Sequence, residues 1–490
     1  STYYPVTSNN SREIYDESNF DQIFRTGRFL ENNLSIQSGN EFSTVYFSVG
    51  DFIQEGIIKN SDYRRTTAAL KTNTKMNKYL EIGTNFKYTK TNSNAIRRST
   101  SNNGLYLGFL RTPADFDISG YRGDYYPSST AAAIPNRHRS YRNQLGANVD
   151  AGFNNPLWTI REQDNRSTVD RIIASVNLTV KPTTWMDLIA RIGIDKYGDK
   201  GNEFYTPGSV STFVNGRMTK NFASNSVFNM DYIAKAKKVF NSNFDGDILV
   251  GFNYNQQERS VEGTTIENFI IFTDVADGIL DVNNALPENR TAISSFGRER
   301  TAAVYSAANL SAFGQLFINA TVRSEWASTL GLNSNQAFLF PSTSVAWQFS
   351  KLQGLESKAF SFGKLRVSYA EVGVQPGRYN TFPEYVSPSF SDQLGGSLSS
   401  GLFGLGGFVP SQNLGNPSLK PERKREFEIG ADLRFIRDKL SFSGTYYFNR
   451  TTDALLAFPI ANSRGYDELF SNAASLENRG LELELGYNIY

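Results

Sequence analysis

LSFSGTYYF, residues 440–448, changes character at every step. Leu440, Phe442, Gly444, Tyr446 and Phe448 fall on one face, and Ser441, Ser443, Thr445 and Tyr447 on the other. A period of two marks an extended strand whose two faces meet different surroundings. Just upstream, Phe427, Ile429, Ala431, Leu433 and Phe435 oppose Glu426, Glu428, Asp432 and Arg434. Downstream, Leu481, Leu483, Leu485, Tyr487 and Ile489 oppose Glu482, Glu484 and Asn488. Earlier segments repeat the pattern: Ile172 to Val180 against Arg171 to Thr179, Leu188 to Ile194 against Asp187 and Arg191, and Leu80 to Tyr88 against Glu81 and Lys87. Long helical periodicity is absent.

These strands exceed the usual five or six residues of soluble sheets and reach the roughly nine to eleven that a tilted membrane strand needs. Their connections alternate in length. Short ones fall near Gly39, Met76, Lys181, Asn241, Ala312, Lys351 and Arg437; long ones span about 53–61, 91–166, 198–219, 258–297, 330–337, 374–423 and 453–475. Short periplasmic turns alternating with long extracellular loops are the outer-membrane pattern, and about fifteen strands follow. The fold class expected is all-β: a large antiparallel transmembrane β-barrel with long extracellular loops. No apolar run of about eighteen residues exists, so a transmembrane helix is excluded. The mean hydropathy of −0.41 fits a barrel, because lipid-facing and lumen-facing residues average out. Aromatics near strand ends, as around Phe228 and Tyr446, fit either an interfacial girdle or ordinary β propensity.

Charge excludes one broad function. With 50 Lys+Arg against 48 Asp+Glu, the net charge is +2, far from the basic excess of a nucleic-acid binder. Without cysteine there is no disulfide, thiolate nucleophile or thiolate metal site. The single histidine, His138, cannot build a two-His metal centre, and a catalytic constellation is not evident. On the alternating strands, Arg171, Asp187, Arg191, Glu428, Arg434 and Glu484 carry charge. Such a group on the lipid face costs about 2–4 kcal/mol near the midplane for Arg, so these are expected to face the lumen.

Larger blocks resemble one family. NLGNPSLKPERKREFEIGADLRF (413–435), KLSFSGTYYFNRTTDALLAFPI (439–460) and LENRGLELELGY (476–487) resemble a strand–turn–strand block of SusC/RagA-type TonB-dependent transporters. Residues 21–73, NNPLWTIREQDN (154–165), FLFPSTSVAWQF (338–349) and KLRVSYAEVGVQ (364–375) are similar to other blocks in the same order. The resemblance implies a bacterial outer-membrane barrel of 22 strands around a plug. Residues 1–490 then correspond to about strands 2 to 16, with the plug and the C-terminal strands absent. It also implies active import of large nutrients, glycans or peptides, with a SusD-like surface lipoprotein as lid, TonB acting through the missing plug, and outer-membrane lipid around the wall. A docking barrel in a larger surface complex, an outer-membrane enzyme and a soluble carbohydrate-binding β-sandwich are the alternatives.

The long connections hold the remaining candidates. His138 in NRHRSYR is expected to be solvated. Its neighbours Arg137, Arg139 and Arg142 form a basic cluster, either solvated or facing an anion such as lipopolysaccharide. Asp274, Asp277 and Asp281 in TDVADGILDVNN suggest a weak calcium site in the 274–284 loop, although the spacing departs from an EF-hand; no other cofactor is expected. GGSLSSGLFGLGGF (395–408) lacks the Lys-Ser/Thr and helix of a phosphate loop. Its Leu402, Phe403, Leu405 and Phe408 are candidate lid contacts. Tyr125, Tyr126 and Trp158 are either ligand platforms or packing within the longest loop.

Overall fold

The computed structural model describes residues 18–99, 101–147, 151–210, 213–272, 281–331, 337–352, 355, 357–386, 389–390, 398–399 and 408–488. In chain order these form α1 (Ser18–Ile23), β1 (Phe29–Gly39), β2 (Ser43–Glu55), β3 (Asp62–Lys75), β4 (Leu80–Asn94), α2 (Leu105–Arg111), β5 (Arg122–Tyr125), β6 (Ile134–His138) and α3 (Pro156–Arg161). There follow β7 (Gln163–Thr183), β8 (Met186–Tyr205), β9 (Arg217–Asn241), β10 (Phe244–Glu267), β11 (Arg290–Ala312), β12 (Leu316–Ala327), β13 (Phe338–Trp347) and β14 (Phe360–Val374). After the two-residue strands β15 (Tyr385–Val386), β16 (Ser389–Phe390), β17 (Leu398–Ser399), β18 (Val409–Pro410) and β19 (Asn413–Leu414) come β20 (Glu422–Phe435), β21 (Leu440–Pro459) and β22 (Glu468–Tyr487).

One 16-stranded sheet runs β1-β2-β3-β4-β7-β8-β9-β10-β11-β12-β13-β14-β20-β21-β22-β19. Fifteen of these are long antiparallel neighbours in sequence order, the count expected from the alternation; the sixteenth is the short β19, which lies parallel to β22. Side chains sort by register. Trp347, Leu365, Ala431, Gly444 and Leu483 share one row across β13, β14, β20, β21 and β22. One residue along, Lys364, Asp432, Ser443 and Glu484 share the opposite face. A slip of one residue would exchange the two sets, so the pattern locks the register. The apolar face stays open: Leu481 and Leu483 are each 64% exposed, where a soluble sandwich would bury them against a second sheet.

The strands outrun the expectation. β9 has 25 residues and β10 has 24, well beyond what a membrane crossing needs. Consequently the connection expected at 198–219 shrinks to 206–216, and that at 258–297 to 268–289. The extra length is polar on both faces, as in Ser226 paired with Glu258 on one and Asn225 paired with Arg259 on the other, and so lacks the stripe that betrays a strand.

The larger buried cluster lies outside the sheet, and a smaller one, Phe204, Met218, Ile266 and Ala285, closes over the long-loop ends of β8, β9 and β10. Ile23, Ile58, Ile96, Leu105, Ile118, Leu157 and Ile160 form the larger cluster, with Phe24, Phe109, Phe116 and Tyr121 packed against it. Its members come from α1, the β2–β3 connection, and the 95–162 connection. The long β4–β7 connection is therefore a folded unit seated on the long-loop end of β3, β4, β7 and β8. Among the described residues no helix is long and apolar enough to cross a membrane.

Candidate functional site

Two features could act on a solute: the charged face of the sheet and the folded unit at its end. The charged face is built by strand alternation alone. All six charged candidates from the sequence lie on it. On β7 and β8, Arg171 donates to Asp195 at 2.9 Å. On β8 and β9, Lys237 donates to Asp187 at 2.6 Å. Arg191 shares a register row with Asp231 on β9 and Asn253 on β10. Ser368 of β14 reaches Glu428 on β20, and Arg434 lies 5.0 Å over the Phe362 ring. Glu484 sits in the row of Lys364, Asp432 and Ser443.

Several partners escaped the sequence reading. Lys235 pairs with Asp247 at 3.2 Å, Asn309 donates to Asp247 at 3.1 Å, and Asn319 donates to Asn309 at 2.7 Å. At the next level Asn253 (3.0 Å) and Tyr305 (3.2 Å) both donate to Asp231. Arg323 then joins Asn253 (3.2 Å) to Glu325 (2.8 Å), and Gln375 donates to Glu325 at 3.1 Å. Gly251 makes room for this: a Cβ there would stand 2.3 Å from the Tyr305 ring, so only glycine lets the tyrosine lie across the wall. These residues alternate visibly within each strand. What a sequence does not show is the register that makes them neighbours. Half-exposed pairs of this kind contribute at most about 1 kcal/mol each, so stability is not their chief effect. They hold donors and acceptors in ordered rows, neighbouring strands within a row about 4.8 Å apart.

The folded unit starts from a helix signal. Asn155 caps α3, its side chain accepting from Leu157 N at 2.9 Å, and Pro156 occupies the first helical turn where it lacks no bond. Six residues are too few to be helical unaided. Burial of Leu157, Trp158 and Ile160 supplies the difference, at about 1.5–3 kcal/mol for each large side chain. Asparagines satisfy the surrounding backbone: Asn19 donates to Phe116 O at 2.6 Å, Asn155 to Ile118 O at 3.1 Å, and Asn154 accepts from Val210 N at 2.9 Å.

His138 corrects the expectation of a solvated residue. It is 4% exposed, its ring 4.6 Å from that of Trp158. Asn155 N donates to its Nε2 at 2.9 Å, and a hydrogen bond to the Gly208 backbone holds its other nitrogen. Burial, joined by the smaller repulsion from Arg137, outweighs that bond and lowers its pKa to about 3. The imidazole is therefore a neutral packing piece. Gly208, at φ +102°, occupies a conformation closed to other residues and faces the Trp158 ring. Trp158 is fully buried, with Nε1 donating to Ser209 Oγ at 2.9 Å, so it offers no face to a ligand or lid. The packing alternative holds for it.

Of the basic cluster, Arg137 and Arg139 are half-buried and turned onto backbone carbonyls, whereas Arg142 stays exposed. Arg137 donates to Gly146 O at 2.9 Å, Arg139 to Asp124 O at 2.6 Å, and Arg142 lies 5.6 Å over the Phe153 ring. Tyr125 is half-buried on the β5–β6 hairpin, and Tyr126 is exposed beside it. Glu162, buried, takes Arg122 at 3.1 Å and Tyr121 at 3.2 Å; burial raises the Tyr121 phenol pKa, and Glu162 adds to the rise.

Of the lid candidates, Leu402, Phe403 and Leu405 lie outside the described residues, and Phe408 is 70% exposed. Asp274 and Asp277 likewise lie outside them, whereas Asp281 caps a turn by accepting from Asn283 N at 2.8 Å. Among the described residues no group of three His, Cys, Asp or Glu is placed to hold a metal ion.

Residues 88–490 match the family described as TonB dependent receptor-like, beta-barrel. The chain belongs to that family. Its wall is accordingly an outer-membrane β-barrel, and its apolar face meets lipid. TonB-dependent receptor P39 of Formosa agariphila is 26% identical over 479 residues, 95% of this chain and 41% of that protein. TonB-dependent receptor SusC of Bacteroides thetaiotaomicron is 22% identical over 502 residues, 95% of this chain and 45% of that protein. The chain thus spans less than half the length of these relatives. The RagAB peptide transporter superposes with a TM-score of 0.79 at 20% identity, covering 100% of this chain and 51% of that one. The ferripyoverdine receptor of the outer membrane of Pseudomonas aeruginosa gives 0.55 at 10% identity, covering 95% and 53%. Both likenesses concern the fold.

Proposed function

We propose that this chain forms part of the wall of a SusC/RagA-type importer of large polar nutrients, oligosaccharides or peptides. The continuous rows of hydrogen-bonding side chains on the charged face carry this reading. Turned inward, they line a wet lumen, pair with a plug outside these residues, and offer a large solute exchangeable partners. Arg171, Asp187, Arg191, Glu428, Arg434 and Glu484 belong to that lining. A SusD-like lipoprotein covers the long-loop end, where Tyr126 and Phe408 are exposed to meet it or the cargo. TonB supplies the energy through the plug. Among the described residues no side chain is set as nucleophile with an adjacent base, and the reading is transport without bond cleavage.

The test uses the full-length protein as the sole importer of its type in cells with and without TonB. Uptake of fluorescent oligosaccharide and peptide pools is expected for one pool, and only with TonB. A correctly inserted barrel that takes up neither pool would favour the docking alternative and overturn import.

A further inference from the structure

The apolar face is not uniformly convex. Near the short-turn end of β9, β10, β11 and β12 it holds a depression of about 900 Å³. That lies within the range of roughly 300–1,000 Å³ typical of sites for small molecules. Register explains the hollow. Ala236, Ile248, Ala308 and Ala320 share one row, and Lys238, Gly246, Leu310 and Ile318 share the next. Alanine and glycine make the floor; Phe240 and Trp185, 59% and 53% exposed, stand at the rim.

Lys238 sets the chemistry. It lies on the lipid face beside the last turn of β9, with its ammonium 5.2 Å over the Phe240 ring. A cation at this depth reaches the headgroup layer while its stem lies along hydrocarbon. The acidic residue nearest in the lining, Asp247, points to the charged face and is paired there with Lys235 at 3.2 Å. Lys237, also at the lining, turns to the charged face and is paired there with Asp187 at 2.6 Å, so the hollow presents apolar walls with the one cation Lys238 at headgroup level.

We propose that this depression binds one anionic phospholipid of the periplasmic leaflet, its acyl chains over Ala236, Gly246, Ala308 and Ala320 and its phosphate at Lys238. The charge match favours a lipid over an apolar protein segment, and an anionic headgroup over a zwitterionic one.

The test is native mass spectrometry of the full-length protein taken from nanodiscs of phosphatidylcholine with phosphatidylglycerol. Wild type is expected to retain one phosphatidylglycerol, with about fivefold preference over phosphatidylcholine. Lys238→Ala, a surface change, should lose the preference. Ala308→Phe with Ala320→Phe should lose retention of either lipid, with insertion checked by electrophoretic mobility. Retention unchanged in both variants would overturn the site. So would a photo-crosslinker at Phe240, on the rim, that captures only protein.

Discussion

His138 shows how much a single environment changes a residue's meaning. In sequence it stands between arginines and suggests solvent. In the structure its neighbours are Trp158, Asn155 and Gly208, and its proton affinity falls to about 3. The sign of the consequence follows directly. The unfolded loop takes up a proton below about pH 6.5, whereas the folded loop does not until pH approaches 3. The contribution is therefore full above pH 6.5 and is lost as pH falls between these values, by up to about tenfold in the opening equilibrium per pH unit. Proteolysis of the 95–162 unit in the full-length protein should accelerate from pH 7 to pH 5. His138→Gln, which does not titrate, should flatten that dependence while raising the rate at pH 7. An identical pH slope in both proteins would show that another group governs opening.

At the scale of the element, alternation did nearly all the work. The fifteen long strands were legible because each crosses lipid with one face, and near the midplane that face is kept free of charge. Strand ends were not legible, because above the membrane β9 and β10 need no apolar stripe and their polar continuation reads as loop. Face assignment can be tested on adjacent strands. Ile192 on β8 lies on the apolar face and is 42% exposed. Ser175 on β7 lies on the charged face opposite Gly193, which leaves space beside it. Ile192→Arg should cost about 2–4 kcal/mol, near the value for a midplane arginine, and Ser175→Arg less than about 1 kcal/mol. Urea titration of the full-length protein in lipid vesicles measures both. Equal costs would mean that the two faces share one environment.

For the molecule as a whole, the wall and the unit on its end are stabilised by different means. The wall has little core of its own; its apolar side chains meet lipid and its backbone is satisfied between strands. The 95–162 unit instead buries Ile96, Leu105, Ile118, Leu157 and Ile160 against Ile23 and Ile58, so three separate segments meet in one core. No periodicity links them, which is why the sequence showed only a long connection. The one local clue was Asn155–Pro156, a helix start inside a presumed loop. If this core sets the rigidity of the mouth, its amides should exchange as slowly as the wall's. Thr159 N donates to Asn155 O at 3.2 Å and Glu162 N to Trp158 O at 2.8 Å, both in buried surroundings. Residues 126–130 at the β5–β6 tip are exposed, and their amides should exchange early. Trp158→Ala, which removes about 3–5 kcal/mol of packing, should bring residues 155–162 toward the tip's rate and leave β8 and β9 protected. Hydrogen exchange on the full-length protein in detergent distinguishes this from a mouth held by the wall alone, in which Trp158→Ala would leave exchange at 155–162 unchanged.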